Sequence, residues 1–217
     1  MNKIDVIEIA SLILALMVAI IGHEIMHGKM AYHFGDDTAK SLGRLSINPL
    51  VHIDLFGTIL VPALLYFSQA GFLFGWAKPV PINIKKVIQN GGYNAAIWVA
   101  LAGIIYNICV AILAYIMIGF LPVVSDESTL FLHSFFSYLL IYNVILALFN
   151  LLPIPPLDGS HALSHALRKG ELHKAADMLD ALGQYGMILL IILIASPLSH
   201  YFFAPMQSLI HVLLSQT

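Results

Sequence analysis

The stretch IASLILALMVAIIGHEIMHG, residues 9–28, decides the fold. It is almost wholly apolar until it reaches His23, Glu24 and His27, and charged residues flank it on both sides. Its length matches the roughly 20 residues that a helix needs to cross the hydrocarbon of a bilayer. Ionisable side chains at that depth cost about 2.5–3.5 kcal/mol each and normally face a bundle interior or a cavity. The stretch therefore predicts a transmembrane helix that carries a functional group of polar residues within the membrane.

The polar part of this helix, HEIMH at residues 23–27, has the H-E-x-x-H pattern of zinc hydrolases. His23 and His27 are four residues apart, so both imidazoles lie on one helical face and can reach one metal ion. Glu24 lies beside them, where a general base for metal-bound water is expected. The alternative is a pair of core histidines that are hydrogen-bonded to their neighbours.

A catalytic zinc site needs a third protein ligand and one open position for water. His33 has the spacing of a third histidine, but Met30 stands where that longer motif needs a glycine to turn the backbone. The stronger candidate is Asp158 in NLLPIPPLDGSHAL, residues 150–163, where three prolines should end a helix and leave the carboxylate on extended chain. We therefore predict one catalytic zinc ion, held by the two motif histidines and Asp158.

The rest of the chain is also largely apolar. Of its 217 residues, 59% are hydrophobic and only 10% are charged, whereas an ordinary soluble domain is about 25% charged. We predict an all-α polytopic membrane protein, a transmembrane helix bundle that forms a single membrane-embedded domain over residues 1–217. Its core is expected at about residues 6–165 and its C-terminal helices at 171–214. Further apolar segments run over residues 55–74, 95–124, 130–152 and 185–214.

The distribution of charge predicts how the bundle lies in the membrane. Nine of the ten Lys and Arg lie in three polar segments, whereas the loop VVSDESTL, residues 123–130, has two acids and no base. By the positive-inside rule this loop lies outside and the basic segments lie in the cytoplasm. We therefore expect a multi-pass protein of the cell (inner, cytoplasmic) membrane with its active site toward the cytoplasm. We expect the lipid bilayer, and no nucleic acid, as a partner.

Basic segments flank residues 55–74 on both sides, so a single crossing there would place one of them outside. We predict instead a re-entrant or extended segment near the active site, which enters the membrane and returns. Gly57, Pro62 and Gly71 favour such a broken path, which is tolerated at membrane depth where it is buried in protein or lines a cavity. The alternative is an ordinary crossing with a weak charge bias.

Two of these motifs, HEIMH and NLLPIPPLDG, resemble those of the site-2 proteases, which are intramembrane zinc metalloproteases. Three further stretches, GDDTAKSLGRLSINPLVHID, FGWAKPVPIN and ALAGIIYN, are similar to those of compact bacterial and archaeal members. The resemblance covers about residues 20–165. It implies that His23, His27 and Asp158 bind zinc and that Glu24 activates water. It also implies transmembrane or membrane-near protein segments as substrates, cut within or near the cytoplasmic leaflet.

Asn150 matches the asparagine of the second family motif. Its amide could hydrogen-bond the scissile carbonyl or its oxyanion, and the alternative is an asparagine that packs between helices. The chain departs from the family where Ile104 replaces a common proline and Ser160 a common glycine. Near the first of these departures, we expect Asn107 to hold helices together rather than to act in catalysis.

Several other features have two interpretations. FGWAKPVPIN, residues 74–83, is either an extended edge that holds an unwound substrate or a loop over the metal site. His52 and Asp54 either orient a zinc ligand or brace the loop. His161 and His165 are again four residues apart but lack an adjacent acid, so a solvated helix is expected and a second metal site is the alternative. Residues 171–184 are either an interfacial helix or a packed one.

The function predicted from these patterns is an intramembrane zinc endopeptidase of the kind that performs regulated intramembrane proteolysis. The alternative is an intramembrane zinc transporter or metal sensor, because intramembrane His and Asp also line ion paths. Such a protein would not need Glu24 between its two histidines.

Overall fold

The computed structural model describes residues 3–67, 75–197 and 199–215, and within these ranges it contains helices and no β-strand. Four helical stretches are long and apolar enough to cross a membrane, the last of them joining α7 and α8. The predicted all-α polytopic fold is therefore confirmed. The α-helices are α1 Lys3–His33, α2 Thr38–Ser41, α3 Val61–Phe67, α4 Ile84–Phe120, α5 Glu127–Asn150, α6 Asp158–Lys169, α7 His173–Leu182, α8 Gly186–Ala195 and α9 Ser199–Ser215.

Helices α1, α4 and α5 pack against one another and form the centre of the bundle. On α1 the contact face consists of small side chains, and Ser11, Ala15 and Ala19 are completely buried. Small residues at this spacing allow the helix backbones to approach closely where lipid surrounds the bundle. Farther along the same face, Gly22 accommodates the ring of Tyr106 from α4, where a Cβ would collide with that ring.

The end of α1 and the start of α4 lie at the same end of the bundle. The backbone N–H of Asn83 donates to Asp36 at 2.6 Å, and the side chain of Asn90 donates to the Phe34 carbonyl at 2.9 Å. A third link pairs Lys86 with Asp37 at 2.6 Å. The chain between these helices therefore returns to the end of the bundle from which it left, as the charge pattern predicted.

The predicted re-entrant segment begins with a π-helix, Leu55–Leu60, which continues into α3. The Asp54 carboxylate caps this helix by accepting from the N–H groups of Phe56 and Gly57. The N–H of Trp76 donates to the Gly57 carbonyl at 3.1 Å, so the departing and returning chains meet. Residues 68–74, which include Gly71, lie outside the described residues, and the depth of the segment in a bilayer stays a prediction.

Helix α4 is interrupted near its start at Gly92, whose φ of 66° is in the left-handed region that favours glycine. At the far end of α4 a short turn leads into α5, which begins with a capping box between Asp126 and Thr129. Beside this cap, Lys3 pairs with Glu127 at 3.2 Å. Lys3, the one basic residue that does not belong to the three basic segments, is therefore partnered by an acid of the predicted outer loop.

The proline-rich stretch after α5 ends the helix at Asn150, as predicted, and α6 begins at Asp158. The prediction that Asp158 lies on extended chain is wrong by one residue, because extended Leu157 is the N-cap and Asp158 is the first helical residue. A carboxylate in the first turn is favoured by the helix dipole. Residues 171–184 contain α7, where Ala176 is buried and Arg168 of α6 pairs with Asp177 at 2.8 Å. Because Leu172, Met178 and Leu182 are exposed, both the packed and the interfacial interpretation of α7 stay predictions.

Candidate metal centre

Three predicted ligands from two distant parts of the chain converge on one point. The Nε2 atoms of His23 and His27 are 3.0 Å apart. The Oδ2 atom of Asp158 lies 3.0 Å from the first and 3.2 Å from the second. A tetrahedral zinc ion with ligands about 2.0–2.1 Å away separates its ligand atoms by roughly 3.3 Å, so the triangle is close to one face of that tetrahedron. Both histidines are buried, with 7% of each exposed.

The hydrogen bonds behind the two imidazoles explain their orientation. The Nδ1–H of His23 donates to the Asn107 Oδ1 atom at 2.6 Å, and the Nδ1–H of His27 donates to the Val99 carbonyl at 2.7 Å. Because both partners are oxygen acceptors, the proton of each neutral ring lies on Nδ1 and the lone pair of Nε2 is left facing Asp158. Three electron-pair donors thus face one another in a buried site, an arrangement that a cation stabilises.

One face of α4 supports both histidines. Val99, Gly103 and Asn107 are successive residues four apart on this helix, so they lie above one another. Gly103 stands between the two hydrogen-bond acceptors, and a Cβ at this position would collide with the His27 Nε2 atom and with the His23 ring. The absence of a side chain at Gly103 therefore lets α4 lie directly against the imidazoles.

Glu24, the predicted general base, is tied to the extended chain that follows the re-entrant segment. Its Oε2 atom accepts the backbone N–H of Val80 at 2.9 Å. Val80 lies between Pro79 and Pro81, and proline has no N–H. Val80 thus supplies the only backbone donor of residues 79–81, and that donor is directed at the glutamate. The contact fixes one carboxylate oxygen of Glu24.

The stretch around Val80 is also held along its length. The N–H of Lys78 donates to the His52 carbonyl at 2.9 Å, and Arg44 donates to the Lys78 carbonyl at 2.9 Å. His52 itself donates to the Ser46 carbonyl at 2.8 Å. Together with the capping role of Asp54, this bond supports the interpretation in which the two residues brace the loop.

Other predicted candidates lie elsewhere. Helix α1 continues through Met30 without a turn, and His33 at its end is exposed. Asn150 donates its Nδ2 to the Leu146 carbonyl of its own helix at 3.0 Å, so its role at the reacting carbonyl stays a prediction. His161 is exposed on α6, whereas His165 stacks on Tyr93 with ring centroids 6.4 Å apart. The expectation of a fully solvated helix there is wrong for His165.

Three contributors were missed in the sequence. Gly103 and Val80 act through an absent side chain and a backbone N–H, and only their places in ALAGIIYN and PVP could have indicated them. Asn143 is completely buried in α5 and accepts from Asn107 at 2.7 Å. Asn143 could have been identified from the sequence, because a polar residue in the middle of an apolar membrane helix normally has a polar partner.

Comparisons with known proteins point to the same chemistry. The family model described as Peptidase family M50 matches residues 124–194. The chain is 37% identical over 199 residues to "Putative zinc metalloprotease YwhC" of Bacillus subtilis, with 90% of this chain and 84% of the relative covered. It is 29% identical over 183 residues to "Putative zinc metalloprotease Rip2" of Mycolicibacterium smegmatis, with 83% of this chain and 65% of the relative covered. No solved structure matches it.

Proposed function

Because the chain belongs to peptidase family M50, the site-2 protease family of membrane zinc metalloproteases, we propose that it is an intramembrane endopeptidase for membrane-protein substrates. It hydrolyses peptide bonds within or near the cytoplasmic leaflet, in transmembrane or membrane-near segments. The observation that carries this proposal is the triangle formed by the Nε2 atoms of His23 and His27 and the Oδ2 atom of Asp158, 3.0–3.2 Å on each side.

The donor set fits a catalytic zinc ion. Two neutral imidazoles and one carboxylate are a ligand set of catalytic zinc sites, which keep a fourth position for water. When bound, zinc lowers the pKa of its water to about 7 and polarises the carbonyl that is attacked. His23 and His27 present their lone pairs because each Nδ1–H is already donated to α4. Asp158 supplies negative charge that offsets part of the charge of the ion.

Glu24 is proposed to move the proton. Its Oε2 atom is held by the N–H of Val80, so the remaining oxygen takes a proton from the attacking water and later delivers it to the leaving amine. Asn150 is proposed to donate a hydrogen bond to the carbonyl oxygen, for which one N–H of its amide must be directed away from Leu146. Glu24 thus activates the nucleophile, and Asn150 stabilises the developing oxyanion.

A substrate must present an extended backbone at this site, because a helical peptide bond is shielded by its own helix. The chain over residues 75–83 has no regular secondary structure and its N–H groups at Trp76, Lys78 and Val80 are bound within the protein. Its other edge is the one proposed to pair with an unwound substrate. Prolines 79 and 81 leave that edge mainly with carbonyl acceptors.

The proposed orientation places the motif toward the cytoplasm of the cell membrane. Lys29, Arg44, Lys78 and Lys86 all belong to the end of the bundle where α1 ends and α4 begins. A Lys85→Cys variant in a Cys109→Ala background should therefore react with a membrane-impermeant thiol reagent from the cytoplasmic side. Reaction only from outside would refute this orientation.

The decisive test of function is a Glu24→Gln variant compared with Glu8→Gln, the same change on the exposed part of the same helix. Each purified protein is reconstituted with labelled single-span peptides, and both bound zinc and cleavage are measured. We expect Glu24→Gln to keep zinc and lose cleavage, whereas Glu8→Gln keeps both. Undiminished cleavage by Glu24→Gln would exclude this residue as the base. Zinc flux without cleavage by the wild-type protein would favour the transport alternative.

A further inference from the structure

Two asparagines lie next to the proposed metal centre, at a depth where polar side chains are costly. Asn107 of α4 and Asn143 of α5 are both completely buried. A buried amide without partners costs about 1–3 kcal/mol in proteins, and polar residues inside membranes usually serve a function. These two amides bond to each other and connect α1, α4 and α5.

The hydrogen bonds of the two amides can run in one direction only. The Leu139 carbonyl accepts from Asn143 Nδ2 at 2.7 Å, so Asn143 presents its Oδ1 atom, which accepts from Asn107 Nδ2 at 2.7 Å. The Ala19 carbonyl also accepts from Asn107 Nδ2, at 3.2 Å. Asn107 therefore presents its Oδ1 atom to His23 at 2.6 Å. Since backbone carbonyls only accept, rotating either amide by half a turn would place acceptors against acceptors.

We propose that Asn143 and Asn107 act in series as positioning residues for His23. Asn143 orients the Asn107 amide, and Asn107 holds the His23 proton on Nδ1, so that the Nε2 lone pair is directed at the metal. The inference rests on the proposed metal site and does not depend on which substrate is cut. The structure gives the two ligands unequal support, because His27 is oriented by the Val99 backbone carbonyl and no side-chain change can remove that acceptor.

A role in series differs from ordinary helix packing in a measurable way. If each asparagine only joined helices, removing either one would lower stability and leave zinc affinity near that of the wild type, even though the two contacting amides are coupled in stability. If Asn143 acts on the metal through Asn107, its removal matters only while Asn107 is present. The readout is zinc affinity rather than cleavage, so the test also works in a protein that is inactive for other reasons.

The experiment compares Asn107→Leu, Asn143→Leu and the double variant by competition for zinc with a chelator in lipid nanodiscs. Loss of a partner that orients a ligand costs about 10–100-fold in metal affinity, and we expect this loss for Asn107→Leu. Asn143→Leu should lose less, and the double variant should bind no more weakly than Asn107→Leu alone. The control is Ser11→Ala, which removes an equally buried polar group whose partner is the Phe131 carbonyl, and it should bind zinc like the wild type.

Affinity of Asn107→Leu within about twofold of the wild type, or additive losses in the double variant, would overturn the proposal. Asn107→Asp separates this role from packing, since it keeps an oxygen acceptor for His23, and this variant should bind zinc at least tenfold more tightly than Asn107→Leu.

If the leucine variants do not fold, ¹⁵N spectra of the wild-type histidines still decide, because His23 must carry its proton on Nδ1. A proton on Nε2 alone would refute the relay. Tight zinc binding without any cleavage would refute the proposed function and leave this inference standing.

Discussion

The chain contains two pairs of histidines with the same spacing, and they have different environments. His23 and His27 on α1 each donate Nδ1–H to an oxygen of α4 and direct Nε2 at a carboxylate. His161 on α6 is exposed, and the buried Nδ1 of His165 has no hydrogen-bond partner within the part of the chain that the structure describes. Spacing alone places two imidazoles on one face, whereas their back-side acceptors and a third donor make His23 and His27 the candidate metal site.

The charges around the second pair also disfavour a cation. Arg168 lies on α6 one turn beyond His165, and its guanidinium is paired with Asp177 and with Asp180 at 2.6 Å. Asp177 and Asp180 thus already neutralise a cation of the protein. Around the first pair, Asp158 has no lysine or arginine partner among the described residues. The two sites differ in available negative charge as well as in geometry.

The largest expected effect tests this contrast directly. His27→Ala or Asp158→Ala removes a proposed ligand, so zinc affinity should fall by more than about 100-fold, beyond the usual loss for an outer partner, and cleavage should be lost. His161→Ala with His165→Ala should leave zinc content and cleavage near the wild type. Zinc content is measured by metal analysis after dialysis against a weak chelator. Loss of zinc from the variant that lacks His161 and His165, with zinc retained by His27→Ala or Asp158→Ala, would show that the second pair holds the metal.

The next largest effect is expected from a change at Val80, whose backbone N–H binds Glu24 in the first histidine pair's motif. Val80→Pro removes the N–H that binds Glu24, whereas Val80→Ala keeps it. A hydrogen bond to a charged group contributes about 1.5–3 kcal/mol, so kcat should fall by about 10–100-fold in the proline variant with KM and zinc content little changed. The alanine variant should be nearly as active as the wild type. Equal activity of both variants would show that this N–H does not position the base.

A smaller effect is expected from filling the space beside the first pair. Gly103→Ala places a methyl group against both imidazoles, whereas Gly119→Ala, on the same helix, meets open space. Overpacking costs about 1–3 kcal/mol, so Gly103→Ala should lower thermal stability and weaken zinc binding. Gly119→Ala should change neither by a comparable amount. Identical melting curves and zinc affinities for both variants would contradict the close approach of α4.

Much of this arrangement could be predicted from the sequence, and the part that could not has a physical reason. The spacing of His23 and His27 requires only local helix geometry, and the prolines before Asp158 predict where α5 ends. The acceptors behind the imidazoles come from α4, more than seventy residues away. One of them is the Val99 backbone carbonyl, which every residue type carries. Tertiary packing alone selects it.

The segment before α4 and the second histidine pair show the same contrast between what the sequence predicts and what tertiary packing decides. Charge counting predicted that the chain before α4 starts from the same side as the end of α1, and the hydrogen bond between Asn83 and Asp36 agrees with this prediction. The depth of that segment depends on lipid and protein contacts that local patterns do not encode. A solvated helix was expected at His161 and His165 because no acid is adjacent to them, but the ring of His165 lies against Tyr93 of α4. That burial depends on how α6 docks and not on its own composition.

The smallest expected effect comes from His165. Burial lowers its pKa first, His161 and Arg168 lower it further, and Asp180 acts in the opposite direction. A histidine whose pKa is lowered by folding binds its proton more readily when unfolded, so it reduces stability as the pH falls below about 6.5. His165→Phe, which keeps a ring against Tyr93, should remove this slope of at most about 1.4 kcal/mol per pH unit. Parallel stability curves for variant and wild type between pH 7.5 and 5.5 would contradict it.

The most direct test of the account is X-ray absorption at the zinc edge of the loaded protein. We expect a first shell of nitrogen and oxygen only, with two imidazoles at about 2.0–2.1 Å. The imidazole count should fall to one in a His23→Ala variant and stay at two in the variant that lacks both His161 and His165. A count that falls when His161 and His165 are removed, or that is unchanged without His23, would contradict the assignment of the metal to His23, His27 and Asp158.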